Sequence, residues 1–381
     1  MDLAISPALQ RIRETSSRPA GAKPLPEAVD LSMGEPDFDA PRQVVEALYQ
    51  ALLEGSTHYG NLNGDPELRA LLAQQASDVR KKTGVFNGLS DRGEVAPDQI
   101  SIGHGATGVL AAIILSLIGP GDRVVLPEPT YSLYSDLVEM VGGEVVWVPL
   151  DENQHVKVDS TLAAARTSKM LILCNPGNPT GAVVSAETLA ALGTGLAGSD
   201  TIVVSDEAYR AFTYGQGFTS ALAVPELAER LIQVDTLSKT YALTGFRLGW
   251  SVAPQPIAQA ISQVGRTIAG APNAAVQKAA ISALSSGDEL YAPMLEEYAA
   301  RRDIVVKELS AVPGVEFSDP EGASMRSSGM GCLCSLQKCV LRWLRRVFCC
   351  ARAVNMDLRV KGICACRSLP RRKTSRKEFA G

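Results

Sequence analysis

The chain has 381 residues, which is too long for one small domain and predicts two domains that share a core. Hydrophobic residues make up 46% of it and charged residues 20%, a balance that excludes a fibrous or wholly disordered protein. Residues 1–13 lack the apolar core of a secretory signal, and the longest apolar stretch, 109–118, is too short to span a bilayer. We therefore expect a cytoplasmic protein that has no membrane partner.

The net charge of −4 hides an uneven distribution. Residues 324–381 contain 14 basic and 2 acidic residues, against 23 and 39 in the rest of the chain. Seven of the eight cysteines also lie in this tail, and Cys174 alone lies in the body. One chain therefore combines two compositions, which need separate explanations.

The predicted elements of the body follow in chain order. Residues 1–30 form a Pro-rich, weakly periodic arm, and the spacing of apolar residues predicts helices over 43–53 and 66–76. Strands over 99–102, 123–126, 144–148, 170–173, 201–205, 231–235 and 249–252 then alternate with helices over 107–117, 132–141, 160–166 and 186–196. The pattern after residue 254 is mainly helical and ends in an amphipathic stretch, 290–309. The alternation predicts a mostly parallel sheet with helices on both faces, and ligands beyond the carboxyl ends of its strands.

Two segments of conformationally special residues follow predicted strands. The segment GHGAT at 103–107 opens a helix with small residues, which lets backbone N–H groups approach an anion such as phosphate. The segment NPGNPTG at 175–181 forms a rigid, irregular turn directly after a buried strand. The first segment alone is more often an ordinary turn. The second is also explained as a tight loop, but its density of conformationally special residues directly after a core strand favours a site.

Two charged residues follow the next strands. Asp206 comes directly after strand 201–205, so its carboxylate is partly buried and needs a partner such as a protonated ring nitrogen, although a helix N-cap or a surface turn also fits. Lys239 follows strand 231–235 between hydroxyl residues, and Arg247 lies between two glycines. A desolvated lysine loses its proton and attacks carbonyls, and an arginine fork matches phosphate, whereas most lysines are solvated surface groups.

Taken in this order, the segments N-P-x-N-P-T-G, D-x-A-Y and S-K-x-x-x-x-x-G-x-R-x-G resemble the class I/II aminotransferases of pyridoxal 5'-phosphate (PLP) fold type I, an aspartate aminotransferase-like family. The resemblance covers roughly residues 30–323. It implies an α/β fold with a mostly parallel sheet covered by helices, plus a smaller α+β domain. The implied divisions are an N-terminal arm that forms part of the small domain, a large PLP-binding domain and the start of the C-terminal small domain, at 1–34, 35–285 and 286–323.

The resemblance also implies the reaction and a role for each matching residue. The reaction moves an amino group between an amino acid and a 2-oxo acid. Lys239 holds PLP as a Schiff base and later moves a proton, while Asp206 pairs with the pyridine nitrogen. Asn178 and Tyr209 donate hydrogen bonds to the ring 3' oxygen, Asn178 also lies at the substrate, and Tyr131 stacks on the ring face.

The remaining implied positions concern the phosphate, the substrate and a second subunit. The phosphate is held by Gly105, Ala106, Thr107, Thr236 or Ser238, and Arg247. Gly34 lines the substrate pocket. Tyr59 resembles the tyrosine that reaches the phosphate of the neighbouring subunit, which implies a homodimer.

The tail departs from the family pattern at Ser324, where an aromatic pair and the small-domain sheet are expected, and no segment matches the arginine that clamps the substrate carboxylate. One base lost from a stretch encoding Phe-Tyr-Ala gives Ser-Met and then a codon that begins with C, which suits Ser324-Met325-Arg326. A frame-shifted tail over 324–381 is therefore the first hypothesis, and an intact frame shared by close relatives would refute it. A basic tail or amphipathic helix that attracts anions comes second, and a metal site comes last because the tail has C-x-C spacing and no histidine.

Two rival functions stay open on the sequence. A PLP-dependent lyase on the same fold shares the residues around the cofactor, and a protein impaired by the altered C-terminus would bind PLP without transfer. A PLP-binding regulator needs a DNA-binding domain, for which the arm before Gly34 leaves no room. We therefore expect no nucleic-acid partner and no metal, and the amino donor and acceptor stay unnamed.

Overall fold

A computed structural model of the chain describes residues 5–16, 34–82, 93–215, 217–311 and 317–323. The hypotheses about the tail 324–381 and about most of the arm lie outside these residues. The division into domains is not tested by the described part and stays a prediction.

A seven-stranded sheet forms the centre of the described structure. Its strands are β1 (Ile100–His104), β2 (Arg123–Glu128), β3 (Glu144–Pro149), β4 (Met170–Cys174), β5 (Ile202–Asp206), β6 (Leu231–Thr236) and β7 (Leu248–Val252). Their order across the sheet is β1-β7-β6-β5-β4-β2-β3. Strand β7 is antiparallel to both of its neighbours, and the other pairs are parallel. Each strand lies within two residues of its predicted bounds, so the predicted mostly parallel sheet is confirmed.

Helices precede, connect and follow the strands. They are α1 (Pro7–Thr15), α2 (Arg42–Leu53), α3 (Pro66–Lys82), α4 (Gly105–Leu117), α5 (Leu133–Met140), α6 (Val158–Ala165), α7 (Ala186–Gly195), α8 (Leu237–Thr240), α9 (Gln255–Ala269), α10 (Ala274–Ser285) and α11 (Ala292–Ser310). Helix α3 is six residues longer than predicted, because its last turn carries polar residues that the apolar spacing does not register.

Helix α1 lies within the predicted N-terminal arm, where the weak periodicity did not predict a helix. The Ser6 side chain accepts a hydrogen bond from the Leu9 amide at 3.3 Å, and Pro7 occupies the first helical position. The Arg11 guanidinium donates to the backbone oxygen of Glu139 at 2.8 Å, which attaches α1 to α5. The helix therefore depends on a contact 128 residues away, which the local sequence pattern does not reveal.

Both faces of the sheet are covered by apolar side chains. Neighbouring residues of a strand point to opposite faces, so Leu171 and Val203 lie in one core with α3 and α10, while Ile172 and Val204 lie in the other with α4, α5 and α9. These four side chains are at most 1% exposed. Burial on both faces explains why the strands are continuous apolar runs rather than alternating ones.

A third, smaller cluster lies beyond the carboxyl edge of the sheet. Four of its aromatic members, Phe38, Tyr209, Phe212 and Tyr298, come from the segment after Gly34, the segment after β5, and α11. The ring centroids of Phe212 and Tyr298 are 5.2 Å apart in an edge-on arrangement. This cluster fixes the segment that begins at Gly34 relative to the end of β5.

The last described segment, residues 317–323, returns to the same edge and is called the strap. The Glu321 amide donates to the Gly181 carbonyl at 3.0 Å, and the Ala323 amide donates to the Phe212 carbonyl at 2.9 Å. The strap therefore joins the NPGNPTG turn to the segment after β5.

Candidate active site

A cavity of about 390 Å³ opens at the carboxyl ends of β4, β5 and β6, next to the first turn of α4. Eleven of the thirteen predicted site residues line it: Gly34, Ala106, Thr107, Tyr131, Asn178, Asp206, Tyr209, Thr236, Ser238, Lys239 and Arg247. These residues come from segments that are distant in sequence and meet because parallel strands place their carboxyl ends at one edge. The structure thus brings the predicted set into one place.

Lys239 lies in the short helix α8, directly after β6. The Thr236 hydroxyl accepts a hydrogen bond from the Ser238 amide at 3.2 Å and caps this helix. The Lys239 amine donates to the backbone oxygen of Gly34 and lies 5.9 Å from the centre of the Tyr209 ring. Burial lowers the pKa of Lys239, the Glu35 carboxylate opposes this, and the Arg247 charge adds to the lowering. The amine is therefore closer to its neutral, nucleophilic form than a surface lysine is.

Asp206 is the last residue of β5, and its side chain is buried. Its Oδ2 atom accepts a hydrogen bond from the Tyr134 hydroxyl at 2.7 Å, and its Oδ1 atom accepts one from the Ala208 amide at 3.2 Å. Burial raises the pKa of Asp206 to about 6, against the opposing effect of the Tyr134 hydrogen bond. A carboxylate in this setting is stabilised by a cation or a protonated nitrogen placed in the cavity.

The other end of the cavity is suited to an anion. Gly105 opens α4 with a φ of +71°, and a Cβ atom built there would lie 2.7 Å from Nη2 of Arg247. Glycine therefore allows the guanidinium to lie against the positive end of α4. The hydroxyls of Thr236 and Ser238 are 2.9 Å apart and line the same cavity. A helix N-terminus, a guanidinium and two hydroxyls form a set of donors that phosphate oxygens match.

Three tyrosines provide aromatic surface in the cavity wall. The rings of Tyr131 and Tyr134 are 5.6 Å apart between centroids and nearly perpendicular. Tyr209 is buried, and this burial raises the pKa of its phenol well above the usual value, so the group keeps its proton and remains a hydrogen-bond donor. The turn that carries Asn178 is fixed from behind, because the Asn175 side-chain oxygen accepts from the Val184 amide at 2.9 Å.

Two predicted residues lie outside the lining of the cavity. Gly105 is buried behind it and acts on it through its contact with Arg247. Tyr59 is 95% exposed and does not line the cavity of its own chain. Its predicted contact with a neighbouring subunit remains a prediction.

Several lining residues were not predicted from the sequence, among them Glu35, Tyr134 and Cys174. Glu35 is adjacent to Gly34, and its carboxylate accepts a hydrogen bond from the Thr244 hydroxyl at 2.6 Å. Tyr134 is three residues after Tyr131, but Tyr131 precedes α5, and no motif or periodic pattern in the sequence singles out Tyr134. Within the described ranges, no group of three or more His, Cys, Asp or Glu residues is arranged to hold a metal ion.

A family model described as aminotransferase class I and II matches residues 26–329. The bifunctional aspartate aminotransferase and glutamate/aspartate-prephenate aminotransferase of Petunia hybrida is 31% identical over 337 residues, which cover 85% of this chain and 68% of that protein. The aspartate aminotransferase of Musicola paradisiaca is 32% identical over 311 residues, which cover 79% and 75%.

Solved structures give the same result. A double mutant of Thermus thermophilus aspartate aminotransferase is similar with a TM-score of 0.70 and 31% identity, over 83% of this chain and 78% of that one. YbdL from Escherichia coli, described with a methionine aminotransferase function, is similar with a TM-score of 0.71 and 31% identity, over 78% and 77%.

Proposed function

We propose, from the premise that this chain belongs to the aminotransferase class I and II family, that the cavity around Lys239 is the site of its amino-group transfer. The chain is a PLP-dependent aminotransferase that moves an amino group between an amino acid and a 2-oxo acid. We also propose a role for each residue of the cavity, a homodimeric assembly and a cytoplasmic location.

The donor set of the cavity fits PLP. When bound, PLP supplies an aldehyde that condenses with amines and a ring that accepts electrons. The Lys239 amine, which burial brings towards its neutral form, would bind the aldehyde carbon covalently and then carry a proton to and from the substrate. Asp206 would hold the ring nitrogen in its protonated form, and Asn178 and Tyr209 would donate to the ring oxygen.

The remaining lining residues orient the group. Arg247, the hydroxyls of Thr236 and Ser238, and the first turn of α4 would hold the phosphate. Tyr131 would cover the ring face. The observation that carries the proposal is that one cavity contains both a desolvated amine, Lys239, and a desolvated carboxylate, Asp206. PLP requires an amine for its aldehyde, a carboxylate for its ring nitrogen and hydrogen-bond donors for its phosphate. Lys239, Asp206 and the anion-binding end of the cavity match these three requirements.

Spectroscopy and product analysis on the full chain test this assignment. The purified protein is mixed with PLP, its visible absorption is recorded, and a mixture of amino acids and 2-oxo acids is added. We expect a Lys239-dependent absorption band that changes on addition of amino acids, followed by a new amino acid paired with a new 2-oxo acid. Release of ammonia without a new amino acid would instead assign the cavity to elimination.

A homodimer is the second part of the proposal. The exposed apolar side chains of Tyr49, Leu53, Leu62 and Ile268 lie on the same chain segments as Tyr59 or close to them, and each is at least half exposed. Large exposed apolar side chains of this kind favour a protein contact. We expect Tyr59 to reach the phosphate-binding end of the neighbouring subunit, which hybrid dimers test directly.

Location in the cytoplasm completes the proposal. In the described part of the chain, no helix is long and apolar enough to cross a membrane. Fractionation of expressing cells tests the proposed location.

A further inference from the structure

Tyr134 touches the cofactor-facing carboxylate but none of the family motifs in the sequence includes it. Its hydroxyl donates to Oδ2 of Asp206 at 2.7 Å, across 72 residues of sequence. The Tyr134 side chain is fully buried, and Asp206 is 4% exposed. A hydrogen bond to a charged group in such a dry setting is stronger than one in water, and its loss leaves an unsatisfied acceptor.

The hydrogen bond from Tyr134 matters because the surroundings of Asp206 disfavour a negative charge on its carboxylate. The Cys174 thiol and the Tyr209 phenol face the same region, and the Asp235 carboxylate disfavours a second negative charge nearby. Against these, the Tyr134 hydroxyl and the Ala208 amide donate to the Asp206 carboxylate, one to each oxygen. The backbone amide cannot be varied by mutation, so the Tyr134 hydroxyl is the adjustable donor.

Packing fixes where that hydroxyl points. Tyr134 lies in the first turn of α5, and its ring packs edge-on against Tyr131, with centroids 5.6 Å apart. A donor with a fixed position on Oδ2 limits rotation of the carboxylate about its χ2 angle. The same turn of chain therefore presents one ring to the cavity and orients the carboxylate that faces it.

We propose that Tyr134 is a positioning residue that fixes the Asp206 carboxylate, in its ionised form, towards the nitrogen of the bound ring. The inference rests on the proposed function, because it assigns to Tyr134 the support of the proposed contact between Asp206 and the ring nitrogen. It predicts that removing the hydroxyl weakens the binding of a ring with a basic nitrogen selectively.

The test compares two variants and two ligands in the full chain. Tyr134→Phe removes the hydroxyl and keeps the ring against Tyr131. Tyr291→Phe is the matched control, because its hydroxyl also donates to a carboxylate, that of Asp288, and neither residue lines the cavity. The ligands are PLP and its 1-deaza analogue, whose ring lacks the nitrogen, and the dissociation constant of each is measured by absorption and fluorescence titration.

We expect Tyr134→Phe to weaken PLP about ten-fold, the loss typical of a hydrogen bond to a charged group, and to leave the 1-deaza analogue unchanged. On acidification, Tyr134→Phe should lose PLP binding at a higher pH than the wild type does, because loss of a hydrogen-bond donor to the ionised carboxylate raises the pKa of Asp206. Tyr291→Phe should match the wild type for both ligands.

Equal weakening of both ligands would show that Tyr134 only packs, and unchanged PLP binding would show that the bond is unimportant; either result overturns the inference while leaving the proposed function intact. A wild-type chain that binds neither ligand would overturn the proposed function and this inference together.

Discussion

Adding one methyl group at Gly105 is the sharpest perturbation of the anion-binding end. In Gly105→Ala the new Cβ atom lies 2.7 Å from Nη2 of Arg247, closer than two such atoms can approach. The backbone at this position has a φ of +71°, which alanine adopts only with strain. Because α4 is fixed in the core, we expect the guanidinium to move away from the helix N-terminus.

The size of the effect has two parts. The left-handed backbone conformation costs about 1–2 kcal/mol of folding stability in any non-glycine residue. Displacement of Arg247 removes charge-assisted hydrogen bonds to phosphate, each worth about 1.5–3 kcal/mol, so PLP affinity should fall roughly ten-fold to a hundred-fold.

Gly198→Ala separates the two parts. Gly198 has a φ of +78°, and a Cβ atom there meets nothing within 4 Å, so this variant carries the strain without the clash. Denaturant unfolding should show a similar loss of stability in both variants, whereas titration with PLP should show weaker binding in Gly105→Ala alone. Wild-type affinity in Gly105→Ala, or equal weakening in Gly198→Ala, would refute the proposed placement of the phosphate.

Three further predictions test the remaining parts of the site. Lys239→Ala should reduce transfer to the uncatalysed rate, measured as formation of 2-oxo acid, whereas Lys169→Ala, which changes an exposed lysine, should not; normal activity of Lys239→Ala would remove the central assignment. Burial raises the pKa of Asp206 from 3.8 to about 6, so this group binds a proton in the folded state that the unfolded state has released, and its contribution to stability is lost as pH rises through this window. Cofactor-free Asp206→Asn should therefore lose less stability than the wild type between pH 4 and pH 7, by about 2 kcal/mol in denaturant unfolding, and parallel curves would contradict the shift. Co-expressed Tyr59→Ala and Lys239→Ala subunits should recover about a quarter of wild-type activity, because half of the dimers are hybrids with one intact site each; no recovery would mean that Tyr59 does not act across the interface.

Residues near strand ends were predictable from the sequence. Asp206 ends β5 and Lys239 follows the end of β6 by three residues, and parallel strands bring such ends together. The role of Gly105 in the segment at 103–107 was also predictable, because small residues between a strand and a helix indicate that another group approaches the backbone closely. The local pattern and the topology rules were sufficient for these positions.

Contacts that span long stretches of sequence were not predictable. Tyr134 meets Asp206 across 72 residues, and α1 is held by a contact across 128 residues, so no local period signals either. The reversed direction of β7 likewise depends on its pairing with β1 and β6 rather than on its own composition. Such features result from the packing of whole elements, which a single sequence does not specify by pattern.

The strap gives the site a mechanical connection to the far end of the described chain. Its amides are bonded to Gly181 and Phe212, which lie in the segments that carry Asn178 and Tyr209. Weakening these bonds is therefore expected to loosen both segments. The change in composition after residue 323 thus directly follows a segment that is hydrogen-bonded three residues after each of the proposed ring-binding groups Asn178 and Tyr209.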